Sequence, residues 1–334
     1  MAPAHTSGMS DPVVPARPSS IPSPADVRAA AHRVRHVALR TRLLHSAPLS
    51  ALLGCDVRIK CEHEQRTGSF KIRGAYNAVA SLGHDERARG IVASSAGNHG
   101  LGVAHAARAL GIHATVFVPA DAPRVKVDGI RAIGATVDET QPHYDDAHHA
   151  AEKFAAEHGC TFINPCAGPA VLAGQGTVAL EMLDELPMVK TLVVPVGGGG
   201  LVGGIAGYVR ETSPGVRIIG AQSEATNAMA ASLEAGWRVE IDTRPTLADG
   251  LAGQIEEDGF EIGRFAIDEM IVVSEAEVAA AMHWLWRTHA IRSEGSGAVG
   301  VAALLRGGGM AGPVAVIVTG GNVDEDRWTA AITV

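Results

Sequence analysis

The chain has 334 residues, 46% of them hydrophobic and 19% charged, and this length suggests about two domains of roughly 150 residues each. Such a composition supplies a buried core and excludes a disordered or coiled-coil protein. The net charge of −8 comes with no long basic cluster, so a nucleic-acid partner is not expected, and no apolar run reaches the roughly 18 residues of a membrane span.

The first 24 residues hold six of the 17 prolines and read as a flexible tail; they lack the basic start and apolar stretch of a signal peptide. From Asp26 onward helix and strand patterns alternate. Residues 26–39 read as a helix opened by Asp26, and Asp56 to Cys61 as a strand. Short β-rich runs follow at 91–94, 113–118, 135–138 and 160–164, separated by helical stretches, one of them opening at Pro123. A strand over 191–196 leads into a glycine run and a helix, and strands at 216–221, 270–273 and 314–318 complete the set. Repeated β-α units of this kind imply an α/β fold, with parallel sheets covered by helices on both faces. The four cysteines, Cys55, Cys61, Cys160 and Cys166, make neither a CxxC pair nor a small secreted scaffold, which fits a reduced, cytoplasmic protein.

Three segments could carry chemistry. Val193 to Gly204 reads VVPVGGGGLVGG, a strand pattern running through Gly197, Gly198, Gly199 and Gly200 into a helix. Glycines let backbone N–H groups close on an anion, and a helix N-terminus adds roughly half a positive charge. A phosphate site is expected; a tight turn with close helix–sheet packing is the plainer alternative. The same stretch matches GxGxxG through Gly198, Gly200 and Gly203, with Glu224 about 20 residues on, which keeps an NAD(P)-dependent oxidoreductase in play.

The second segment, Glu64 to Ala75 (EQRTGSFKIRGA), places Lys71 after a loop and at the start of a helix running towards Leu82. An ammonium beside helix N–H groups is disfavoured, so this amine is expected to lose its proton readily, as a Schiff-base lysine must. Read alone, a solvated surface lysine explains the segment better. The third, Ser94 to Gly100 (SSAGNHG), follows a strand and starts a helix. It suits a carboxylate-sized anion site or an ordinary cap by Ser95. Two metal patterns fail. His143, His148 and His149 near Asp145 and Asp146 match no zinc spacing, and His63-Glu64 is followed by Thr67 where a metalloprotease needs its second histidine.

EQRTGSFKIRGA, SSAGNHG, AGQGT (Ala173 to Thr177), the tetraglycine run, TLADGLA (Thr246 to Ala252) and TGGN (Thr319 to Asn322) occur in that order. Together they resemble the fold-type II pyridoxal-phosphate enzymes of the threonine/serine dehydratase and serine racemase family. The resemblance runs from about residue 40 to the C-terminus. It implies two open, twisted, mostly parallel α/β domains, tryptophan synthase β-like, with pyridoxal 5'-phosphate in the cleft. The large domain would comprise 25–88 and 166–334, and the small one 89–165. By the same resemblance Lys71 carries the cofactor, Phe70 packs on its ring, Asn98 reaches the ring hydroxyl and Gly197 to Gly200 hold the phosphate. Thr319 faces the ring nitrogen, Gly250 and Glu294 line the cofactor side of the cleft, and Ser95, Asn98 and His99 bind the substrate carboxylate.

A neutral hydroxyl at the ring nitrogen leaves that nitrogen largely unprotonated, which favours elimination over transamination. The implied reaction is β-elimination from a small β-hydroxy amino acid, L-threonine or L-serine first, giving a 2-oxo acid and ammonia. A bulkier hydroxy amino acid or a hydroxyectoine-derived intermediate is the alternative within the family. Racemases of the family carry a serine directly before the GNH glycine; Ala96 stands there in this chain and delivers no proton, so dehydration is expected over racemisation. The family's divalent-cation positions fall on Gln222 and Ala228, with Glu224 nearby, so no metal is expected. A homodimer or homotetramer is implied, and no stretch after the catalytic core is left for a regulatory domain.

Overall fold

A computed structural model describes residues 16–333 apart from 121, 123 and 243. The chain begins with α1 (Pro24–Val34), β1 (Leu43–His45), α2 (Ala47–Leu53), β2 (Val57–Cys61), α3 (Lys71–Ser81) and α4 (His84–Arg89). Next come β3 (Ile91–Ser94), α5 (Asn98–Leu110), β4 (Ala114–Pro119), α6 (Arg124–Ile133), β5 (Thr136–Gln141), α7 (Tyr144–His158) and β6 (Thr161–Phe162). The chain then returns through α8 (Pro169–Glu185), β7 (Thr191–Pro195), α9 (Gly200–Thr212), β8 (Arg217–Ser223), α10 (Ala228–Ala235) and α11 (Glu257–Ala266). It closes with β9 (Glu269–Val273), α12 (Glu275–His289), α13 (Gly295–Leu305), β10 (Val314–Val318) and α14 (Glu325–Ile332).

Two sheets result, one ordered β1-β2-β10-β7-β8-β9 and the other β5-β4-β3-β6. Every pairing is parallel except β1 with β2. The central strands β7 (TLVVP) and β10 (VAVIV) are buried throughout, the near-continuous apolar pattern of strands covered on both faces. Alternate side chains feed two cores: Leu192, Val194 and Ile317 pack with Ile205 of α9, while Val193, Val316 and Val318 pack with Val299 of α13. A third core, with Ala75, Val79, Val103 and Val116, joins α3 and α5 to the smaller sheet. No helix of the described residues is long and apolar enough to cross a membrane.

Differences from the sequence expectation have local causes. Asp26 does not open α1: Ser23 does, its Oγ accepting from Asp26 N, and Asp26 answers from the third helical position in a capping box. The expected tail shortens, because Ile21 is buried in the core beside Leu172 and Val202; residues 1–15 lie outside the described ones. Pro123, expected to open a helix, also lies outside them, and that helix runs from Arg124. β6 stops after two residues because Asn164 Oδ1 gathers the N–H groups of Cys166 and Ala167 into a turn around Pro165.

Helix α8 lies between α3 and α9 with backbones in contact. A side chain at Gly174 would meet Arg73 O at 2.4 Å and Gly74 Cα at 2.6 Å, and one at Gly176 would meet Gly204 O at 2.5 Å. Beside this seam lies a buried charge cluster. Arg73 donates to both oxygens of Glu62 at 2.8 Å, to Glu181 at 2.7 and 2.8 Å, to Thr177 Oγ1 at 3.1 Å and to Leu39 O at 3.0 Å. Lys60 adds Glu181 at 2.6 Å and Thr41 O at 2.8 Å.

Candidate active site

The carboxyl ends of β2, β10 and β7 lie side by side, and ligands of open α/β sheets bind at such edges. The loop after β2 is laid against the residues after β10: Phe70 N donates to Thr319 O at 3.1 Å, Gly321 N donates to Gly68 O at 3.0 Å, and Ser69 bridges Gly320. That pairing sets Lys71, the first residue of α3, beside buried Thr319. Lys71 Nζ donates to Pro165 O at 2.8 Å and lies 3.9 Å from Cys166 Sγ and 5.4 Å from the centre of the Phe70 ring.

Cys166 covers the tetraglycine loop. A Cβ at Gly198 would sit 3.0 Å from its Cβ and Sγ, and one at Gly200 would sit 2.9 Å from its Cα and O. Gly197 abuts Leu251, 3.2 Å from where its Cβ would be, and Gly199 caps α9 in the left-handed region at φ 96°. Any side chain would fill this cradle. What remains is a floor of backbone at a helix start, where the first N–H groups have no intrahelical partner. A phosphate fits there, and the Lys71 amine stands across Cys166 from it.

The start of α5 supplies the opposite wall. Gly102 lets α5 approach the first turn of α3, its notional Cβ being 3.3 Å from Lys71 C. Asn98 Nδ2 donates to Glu294 Oε1 at 2.8 Å, and Asn98 Oδ1 accepts from Asn322 Nδ2 at 2.7 Å. Glu294 caps α13 and is buried. Burial first, then the charge of Asp249, pushes its carboxyl up to about 8, against the pull of Asn98, Lys126 and Lys71. Gly250 N donates to Ser296 Oγ at 2.8 Å, which holds the segment around Gly250 over the start of α13. A cavity of about 10 Å³, lined in part by Lys126, Asp249, Glu294 and Asn322, lies behind them. It has room for about one water molecule.

The two remaining expected residues behave differently. Ser95 does not cap α5. Its Oγ accepts from Gly97 N at 3.1 Å, and Gly97 holds the cap position. His99 is 2% exposed and its Nε2 faces Ile163 O at 2.7 Å. A carbonyl only accepts, so Nε2 carries the proton and Nδ1, buried without a partner, is left as an acceptor. Burial and then the Lys71 charge pull this ring down to about 3. With Nε2 engaged by Ile163 O, what His99 has left to offer a carboxylate is its backbone N–H in the first turn of α5. Sequence reasoning missed Cys166, Asn322 and Ser296 as site residues. Asn322 sits inside the TGGN motif; nothing in the sequence marks the other two.

The sequence profile of the pyridoxal-phosphate dependent enzymes matches residues 34–320. This chain belongs to that family. Among similar pyridoxal-phosphate family relatives, an L-threonine ammonia-lyase of Thermotoga maritima is 43% identical over 301 residues, 90% of this chain and 75% of that protein. An L-threo-3-hydroxyaspartate ammonia-lyase of Saccharomyces cerevisiae is 38% identical over 316 residues, 94% of this chain and 97% of that one. Maize serine racemase superposes with a TM-score of 0.87 at 30% identity, covering 94% of this chain and 97% of that one. The processed threonine deaminase isoform 2 of Solanum lycopersicum gives 0.87 at 30%, covering 100% and 99%. The fold is thus that of the fold-type II pyridoxal-phosphate enzymes, and the glycine run belongs to such an enzyme rather than to a dinucleotide-binding one.

Gln222, where the resemblance sets a cation position, is buried and its amide is engaged at both ends, donating to Thr226 O at 2.8 Å and accepting from Ala230 N at 2.9 Å. Cys61, His63 and Glu64 bring three ligand atoms within 4.8 Å of one another. Glu64 is held there by Arg42, and burial, with the charge of Glu64, pushes the Cys61 thiol up to about 12.

Proposed function

We propose that the protein is an ammonia-lyase for a small β-hydroxy amino acid, L-threonine or L-serine first, releasing a 2-oxo acid and ammonia. The observation that carries this reading is the Lys71 amine beside Cys166, which covers the glycine cradle, with the neighbouring Phe70 paired to Thr319 O. Bound pyridoxal phosphate supplies the electron sink that makes a substrate α-proton acidic. In this reading the backbone N–H groups of Gly197 to Gly200 hold its phosphate. The Asn98 N–H₂ meets the ring hydroxyl, Thr319 offers a neutral hydroxyl at the ring nitrogen, and Gly250 and Glu294 flank it. Lys71, at the head of α3, is placed to take the α-proton as general base. The N–H groups at the start of α5, with Ser95, bind the substrate carboxylate.

Ala96 has no proton to return from the opposite face, which favours elimination over racemisation. A second reading, a hydroxy amino acid with a side-chain carboxylate, follows from the hydroxyaspartate relatives. It would need a cation for the second carboxylate, and Lys126, which lines the cavity beside Glu294, is paired with Asp249 at 3.2 Å. The reading also places 89–165 as a small domain that closes over the substrate, in a cytoplasmic homodimer or homotetramer.

The test is to incubate the purified protein, reconstituted with pyridoxal phosphate, with L-threonine, L-serine and L-threo-3-hydroxyaspartate, assaying 2-oxo acid and ammonia. Turnover of threonine or serine, absent in Lys71→Ala, is expected. Turnover of hydroxyaspartate alone moves the assignment to the second reading, and racemised product without ammonia overturns both.

A further inference from the structure

The carboxamide of Asn322 stands between two oxygens. Its Nδ2 is 2.7 Å from Thr67 O and 2.7 Å from Asn98 Oδ1. A backbone carbonyl accepts and never donates, so the Thr67 contact decides which end of Asn322 is nitrogen. The second proton of that nitrogen needs an acceptor, and the Asn98 atom facing it must be oxygen. Asn98 Nδ2 is thereby turned the other way, 2.8 Å from Glu294 Oε1, with one further proton to give. Glu294 does not settle the matter by itself, since its acid form could equally donate to an amide oxygen. Asn322 in turn has little freedom to rotate: it fills the space left by Gly68, where a Cβ would lie 2.2 Å from Asn322 Oδ1.

We propose that Asn322 is a positioning residue for the cofactor, acting through Asn98: it holds that amide with the N–H₂ end towards the ring hydroxyl. The inference rests on the pyridoxal-phosphate reading of the site. Asn98 turned over would set oxygen against oxygen, and Asn98 left free would have to be ordered on binding, at a cost in side-chain entropy. Asn322 touches no cofactor atom in this scheme.

The experiment strips the purified holoenzyme of cofactor and titrates pyridoxal phosphate back into wild type, Asn322→Ala, Asn322→Asp, Asn98→Ala and the Asn98→Ala/Asn322→Ala double variant. Affinity and the position of the lysine-bound cofactor's absorption band are read together, with circular dichroism as the check on folding. Asn322→Ala is expected to weaken binding about tenfold, the scale of one hydrogen bond, and to move the band to shorter wavelength. Asn322→Asp keeps the shape but removes the donors, so it is expected to weaken binding further, and it carries the comparison if the alanine variant does not fold. In the Asn98→Ala background, Asn322→Ala is expected to change affinity less than about twofold, because coupled residues are not additive. An unchanged band and affinity in Asn322→Asp, or losses that multiply in the double variant, overturn the proposal. Failure of wild type itself to take up pyridoxal phosphate would instead sink the cofactor reading.

Discussion

At Gly198 and Gly200 the same neighbour imposes two different constraints. A methyl at position 198 would press on the Cys166 side chain at 3.0 Å, whereas one at position 200 would press on the Cys166 Cα and carbonyl at 2.9 Å. Both Gly198→Ala and Gly200→Ala are expected to weaken pyridoxal-phosphate binding by about tenfold or more, the scale of one charge-assisted contact. Adding Cys166→Gly should restore much of the loss at 198 and none at 200; equilibrium titration of the two double variants reads this directly. The SxGNH and GGGG patterns carried most of these positions in plain sight, because their chemistry depends on residue type at fixed spacing. Cys166 was not legible. It reaches the site only because Asn164 and Pro165 turn the chain after β6, and a lone cysteine in a sequence carries no sign of what it will cover.

Among the elements, α3 does two jobs, and its sequence announced only one. Lys71 was singled out for its chemistry, while Arg73, two residues on, proves to be a fully buried cation shared between Glu62 and Glu181. Breaking such a pair from one side leaves uncompensated buried charge, so Arg73→Met is expected to destabilise the fold by about 3–5 kcal/mol. Arg73→Lys should recover little, since one ammonium cannot serve both carboxylates, Thr177 and Leu39 O at once. Urea unfolding of the two variants beside wild type measures both. The parallel strands were legible because two-sided burial writes itself as an unbroken apolar run, as in VAVIV. β1 was not: three residues, Leu-Leu-His, with one buried and one exposed end, hold no period to read, and only pairing with β2 makes them a strand. Likewise, the helix at Asp26 was expected from its acid, but the serine that caps it lies three residues upstream.

For the molecule as a whole, buried ionisable groups set opposite limits on pH. His99 is held neutral with its pKa pulled from 6.5 to about 3, so unfolding takes up a proton once the pH falls below the unfolded value. Its contribution is present above about pH 6.5 and is lost as the pH drops towards 3. Glu62 adds to this below its ordinary 4.5: burial alone would raise it, but Arg73 and Lys60 hold it lower. Glu294 acts at the other end. Its carboxyl keeps its proton up to about pH 8, so the stability linked to it falls as the pH rises from 4.5 through 8. Thermal unfolding of the cofactor-free protein is expected to show His99→Gln with a shallower acid limb and Glu294→Gln with a flatter alkaline one. Equal slopes in variant and wild type would contradict the assignments.

The seam along α8 has its own bearing on how such an enzyme can change. Lys71 heads the helix on one side of α8 and the glycine cradle heads the helix on the other, and the contacts are made by the backbone at Gly74, Gly174, Gly176 and Gly204 together with the Gln175 side chain. Gln175 Oε1 accepts from Gly74 N at 3.1 Å, so the spacing of α3, α8 and α9 is set by backbone and that one amide. A side chain added at any of these glycines meets backbone or the Gln175 amide within 3 Å. A lineage carrying this scaffold is therefore expected to keep the spacing of α3, α8 and α9 while residues outside the seam change.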